Sequence, residues 1–219
     1  MCFSEQISLA IGITGVLSSL YFYKKKYLYA SIGIGYFSLM ELLQFFQYRV
    51  INQCSNNYNK FLTNIGYLHI CFQPLFINIW LFEFTKNPNF IFLYLSFIAG
   101  ILLASRIIFV KDYELCDKNE PLCGKRTCSY SGKRHIAWNI RMRSTGKYWF
   151  TPSMGLHFFM FTIPALLSFQ LKPILAMLLT MPYVPFILNG GIWSDIHEQA
   201  SIWCYTAVLQ LLLSFFLLK

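Results

Sequence analysis

The chain is short of charge, and shorter still of acid. Nine Asp and Glu stand against 18 Lys and Arg in 219 residues, and charged residues make up only 12% of the total. An ordinary soluble domain carries about twice that share, so this composition leaves too little polar surface to cover a water-soluble globule. The chain also lacks any basic residue ahead of its first apolar segment and any A-x-A-like site after it, which argues against a cleaved signal peptide. It contains no internal repeat and no low-complexity tract.

What is present is hydrophobic. With 56% apolar residues, arranged in stretches of about 18 or more, the sequence carries the signature of helices crossing a hydrocarbon layer roughly 30 Å thick. Seven segments stand out, at 5–23, 27–48, 61–84, 89–110, 153–171, 173–190 and 196–218. The expected fold is an all-α, polytopic membrane helix bundle of about seven transmembrane helices, forming one transmembrane domain over residues 1–219. Six is the fallback, because only Lys172 and Pro173 part the fifth and sixth segments, and Pro164, Pro182 and Pro185 would let them form one kinked or re-entrant element.

The net charge of +9 does not point to nucleic acid. The basic residues lie in the gaps between apolar segments, where the positive-inside rule and anionic lipids account for them. The longest gap, 111–152, is too long for a simple connector. Its lysines and arginines, set among Trp138 and Trp149, suit a segment resting on anionic lipid headgroups.

Seven spans put the N-terminus and the 49–60, 111–152 and 191–195 loops at one side, A, and the Lys24-Lys25-Lys26 turn, the 85–88 loop and the C-terminus at the other, B. Lys and Arg outside the spans number 11 on side A and 6 on side B, which would make A cytoplasmic. The three lysines directly after the first segment argue the reverse, and so do Cys116, Cys123 and Cys128, natural disulfide formers outside the cytosol. The expectation is therefore that the N-terminus and the 111–152 loop lie outside or in a lumen. Those cysteines form disulfides, with Cys54 as an available partner, or bind a metal together with His135. Their spacing lacks the C-x2-C pairs usual for zinc.

The rare polar residues of the spans fall on helical faces. Glu41, Gln44 and Tyr48 share one; His69 and Gln73 share another; His197, Ser201 and Cys204 share a third. All lie in the side-A half, where Cys2, His157 and Asp195 also enter. A carboxylate buried in a membrane helix costs about 2.5–3.5 kcal/mol, which makes Glu41 a functional candidate by default. The alternative is a helix-to-helix clamp between Glu41 and His69 or Gln73, each such bond worth about 0.6 kcal/mol. Asp195 and Glu198 also read as the N-cap and capping box of the last helix.

Cys2 has its own chemistry. Once the initiator Met is removed, its thiol lies beside a free α-amine that could activate it as a nucleophile. Acylation, a disulfide or simple packing are the alternatives.

Several functions are excluded by missing motifs. There is no H-E-x-x-H, G-x-S-x-G or P-loop pattern, and residues 196–218 hold no lysine for a retinal Schiff base. The H-x-x-x-H pair of ceramidase-type hydrolases is reduced to His197.

The ends of the chain resemble a poorly characterised group of multi-pass membrane proteins beginning MCFS or MCWS, found in bacteria, unicellular eukaryotes and large DNA viruses. The resemblance rests on Met1-Cys2-Phe3-Ser4, on Met40-Glu41-Leu42-Leu43-Gln44 and on Ser201-Ile202-Trp203-Cys204. It implies the architecture and a candidate site at Cys2, Ser4, Glu41, Trp203 and Cys204, with no reaction attached.

Three functions follow. The first is binding or transport of a small molecule or ion in a polar pocket that includes Gln44, Gln73, Ser201, Trp203 and Cys204. The second is a membrane-embedded hydrolase or acyltransferase with Cys2 as nucleophile, His69 or His197 as base and Glu41 orienting it. The third is a structural or assembly role. The sequence names no cofactor.

Overall fold

Ser4 starts the first helix: its hydroxyl accepts from the Ile7 amide at 3.3 Å, and α1 then runs Glu5–Lys24. The lysine turn ends it, with Lys26 in the left-handed region at φ 66°. Helix α2 spans Leu28–Tyr48, and α3 spans Asn57–Phe82, where the Asn56 side chain accepts from the Tyr58 amide. Helix α4, Ile91–Ala104, tightens into a 3-10 turn over Ser105–Ile107. Ser153 caps α5, Met154–Leu166; α6 spans Leu171–Thr180; a 3-10 turn at Ile196–Glu198 precedes α7, Cys204–Leu217.

This computed structural model describes residues 4–108, 110, 116, 120–133, 135–145, 152–181, 196–198, 201 and 204–218. Cys2, Asp195 and Trp203 lie outside them, and of Cys204 only the backbone is described. Among the described residues the chain is mostly helical, with seven α-helices. Two of them, Glu5–Lys24 and Asn57–Phe82, are long and apolar enough to cross a membrane.

The fifth and sixth segments are separate helices, not one kinked element. Residues 167–169 turn the chain, with Phe169 at φ 51°. Pro173 falls in the first turn of α6, where the N–H it lacks has no intrahelical partner to lose.

The all-α expectation needs one correction. β1 (Cys128–Ser131) and β2 (Ile136–Asn139) form an antiparallel pair, which sets Ser129 opposite Trp138 and Tyr130 opposite Ala137. Aromatic and β-branched residues at Tyr130, Ile136 and Trp138 suit strands, and Gly132 closes the turn by donating to the His135 carbonyl at 2.8 Å.

Helices α1 and α2 pack by small residues. A Cβ on Gly12 would lie 2.6 Å from Leu42, and Ser19 and Ser31 exchange hydroxyl-to-carbonyl bonds of 2.8 and 2.9 Å. Antiparallel succession from α1 to α4 places Ser4, residues 49–56 and the hairpin at one end of the bundle, the A end. Two buried apolar clusters fill the bundle, one around Phe37, Ile77, Trp80 and Phe161, the other around Met40, Ile70, Leu103 and Trp138.

Candidate functional site

The site begins on α2. Glu41, Gln44 and Gln47 are spaced i, i+3, i+6, and all three are 0% exposed. Three polar side chains thus enter the interior from one helix face. Gln47 donates to the Leu62 carbonyl at 3.1 Å, and its Oε1 is buried without a hydrogen-bond partner among the described residues.

The register of α2 against α3 is fixed by Gly33 beside Trp80 and Gln47 beside Gly66. It sets Gln73 almost level with Glu41 along the bundle axis, about one residue's rise of 1.5 Å away. Gln73 is 1% exposed, and its Oε1 also has no partner among the described residues. At the same level α5 contributes His157, fully buried and hydrogen-bonded to the Ile70 backbone.

His69 does not join this group. Its Nε2 donates to the Tyr36 carbonyl at 2.8 Å, the Tyr36 hydroxyl donates back to the His69 carbonyl at 2.7 Å, and the rings stack at 3.9 Å. Tyr36 stacks on Phe76 with its other face at 3.6 Å. The i, i+4 spacing from Gln73 is real, but ring stacking turns His69 toward the α2–α3 seam, and no bond joins it to Glu41 among the described residues. It is a clamp between helices.

A cap covers the A end of this core. Asn59, in the first turn of α3, donates to the Ser129 carbonyl at 3.0 Å and to its hydroxyl at 2.9 Å, and accepts from the Ser129 amide at 3.0 Å. That fixes the hairpin so that Trp138, wholly buried, lies on Gly66; a Cβ there would be 2.6 Å from the indole. The disulfides Cys54–Cys128 and Cys116–Cys123 hold the cap covalently. With all four thiols so used, the metal reading of Cys116, Cys123 and Cys128 with His135 has no thiolate ligand, and no cluster of metal-binding side chains occurs among the described residues.

Buried charge ties the cap to α4. Arg106 pairs with Glu120, and its Nε and Nη2 donate to the Arg143 carbonyl at 3.0 and 2.7 Å. Glu120 also accepts from the Ser144 hydroxyl at 2.8 Å and the Thr145 amide at 3.1 Å.

The last segment runs from this cap into the bundle. Glu198 is buried against Gly132 of the hairpin turn, Ser201 donates to the Glu198 carbonyl at 2.8 Å, and Thr206 donates to the Thr180 carbonyl at 2.9 Å. Ser201 is 0% exposed and lies between cap and bundle. His197 is in the 3-10 turn beside the hairpin and is partly buried. The capping box expected from Asp195 and Glu198 falls partly outside the described residues, since Asp195 is not among them; Glu198 belongs to that turn and packs on Gly132. Sequence reasoning placed His157 in the side-A half without giving it a role, and it left out Gln47. Gln47 continues the Glu41 and Gln44 stripe by one further step, and was passed over for Tyr48, which is only partly buried.

Fold and site together define an α-helical bundle with a buried polar core closed at one end by a disulfide-bonded cap. The chain belongs to the family of unknown function DUF5765, whose model matches residues 6–218. No curated protein and no solved structure matches it.

Proposed function

We propose that this is a polytopic membrane protein that binds, and moves across the membrane, a cation or a small donor-rich molecule in the polar core beneath the cap. The observation that carries this reading is the acceptor-rich interior. Glu41, Gln47 and Gln73 bring oxygen atoms into the buried interior, and the Oε1 atoms of Gln47 and Gln73 have no protein partner among the described residues. Each buried acceptor left unpaired costs about 1–3 kcal/mol. A ligand carrying N–H groups or positive charge recovers that cost; an anion would not. Hydropathy supports the membrane setting, and the two disulfides favour an oxidising compartment at the A end, outside the cell or in a lumen.

The test is reconstitution in vesicles with a pH gradient and monovalent or divalent cations as probes. Glu41→Gln is expected to abolish pH-dependent flux, because protons and cations compete for that carboxylate, whereas Cys2→Ser leaves it within about twofold. Unchanged flux in a folded Glu41→Gln protein would falsify the proposal. Loss of activity in Cys2→Ser alone would support the nucleophile chemistry instead.

A further inference from the structure

The cap closes the A end of the bundle; the opposite end holds a separate cavity of about 310 Å³, where the end of α3, the start of α4, the end of α5 and the turn into α6 meet. Its walls come from residues 78–92 and 164–173, all of them described, and no charged side chain lines it among the described residues. Asn78, 1% exposed, is its most deeply buried polar residue. The Asn78 Nδ2 is spent on three helices at once, donating toward the Pro74 carbonyl at 2.7 Å, the Ser96 hydroxyl at 3.0 Å and the Met160 carbonyl at 2.8 Å. Its Oδ1 accepts from no protein group among the described residues and is the atom left to meet a ligand.

Two amides at the mouth show the reverse arrangement. The Asn89 Oδ1 accepts from the Ile91 amide at 3.1 Å, and the Gln170 Oε1 accepts from the Lys86 amide at 2.9 Å. Each side chain is thus pinned by its oxygen, and its NH2 group is what remains for a ligand. Phe82, Phe92 and Pro164 supply apolar wall. The cavity therefore offers a held acceptor within and held donors at its mouth, with apolar surface to cover as well.

That set of groups selects an occupant. An ammonium only donates and a carboxylate only accepts, so neither meets both ends, and an apolar molecule meets neither. A single water, whose share of the liquid is about 30 Å³, does not fill the space. A hydroxyl both donates and accepts, and a small carbon skeleton bearing several of them presents polar groups at both ends and C–H groups to the walls. From the pairing of a buried acceptor with two pinned donors around an uncharged cavity, we infer that this pocket binds a small uncharged polyol of monosaccharide size.

Full-length protein in phosphatidylcholine nanodiscs is titrated calorimetrically with myo-inositol and glucose, and in parallel with acetamide, acetate and methylammonium. Wild type is expected to bind myo-inositol or glucose saturably with a Kd of about 1 mM or tighter, and acetamide, too short to reach both ends, at least about tenfold more weakly. The two ions are expected not to bind. The double variant Asn89→Asp, Gln170→Glu keeps both pinned oxygens and replaces each NH2 group by an oxygen; it is expected to lose about tenfold or more in polyol affinity. Asn78 is left intact because its Nδ2 holds three helices. Unchanged polyol affinity in a double variant that keeps the wild-type melting curve overturns the inference. Wild type decides the matter without any variant: no saturable binding of either polyol by about 10 mM, a site for water only, overturns it. Equal or tighter binding of acetamide, acetate or methylammonium does the same. None of these titrations reads cation flux, so this inference and the polar-core reading fail separately.

Discussion

Glu120 is a buried carboxylate with each oxygen paired: Arg106 and the Thr145 amide bond one, the Ser144 hydroxyl and the same amide the other. Removing one partner of such a pair leaves a buried charge uncompensated, at about 3–5 kcal/mol. Glu120→Ala is therefore expected to lower the thermal denaturation midpoint sharply, and Arg106→Met with Glu120→Leu together to restore much of the loss. Gln73 is the opposite case, a polar side chain whose Oε1 is kept at a cost to stability. Gln73→Leu is expected to raise stability by about 1–3 kcal/mol while weakening cation binding about tenfold, read by denaturation and by flux. A purely structural role for Gln73 requires the variant to be less stable.

At the level of elements, the cap is held by close approach. Gly66 is the point at which α3 admits the Trp138 ring, and an added methyl has to move a fully buried indole. Gly66→Ala is expected to cost about 1–3 kcal/mol of overpacking and to raise hydrogen exchange across β2 before it does so in α1. The helices themselves were legible in the sequence, since hydropathy marks long apolar runs. The hairpin was not. Its four-residue strands sit among cysteines and basic residues, and their pairing depends on Asn59, about seventy residues earlier in the chain, which no local pattern announces. For the same reason Glu41 and Gln44 could be picked out by spacing and His69 could be misplaced: periodicity fixes a helix face, but stacking on Tyr36 decides where a ring points.

For the whole molecule, the distribution of thiols gives a topological readout. Cys54, Cys116, Cys123 and Cys128 are oxidised at the A end, and Cys71, buried in the bundle, is the free cysteine among the described residues. On sealed cells or vesicles with the A end outward, an impermeant maleimide is expected to label these four sites only after reduction, and Cys71 only after denaturation. Labelling of the four without reductant would place the A end in a reducing compartment.

The hairpin is anchored to residues made long before it, and the segment packed beneath it is made last. Residues 52, 54 and 59 precede their partners at 128–131 by seventy positions or more, while Glu198, Thr206 and Ser214, which seat α7 against Gly132, Thr180 and Trp80, come well after the hairpin in the chain. The residues that build the roof over the polar core are therefore all synthesised before those of its final wall, α7, which meets α2 along the seam where Gly33 leaves room for Gln210.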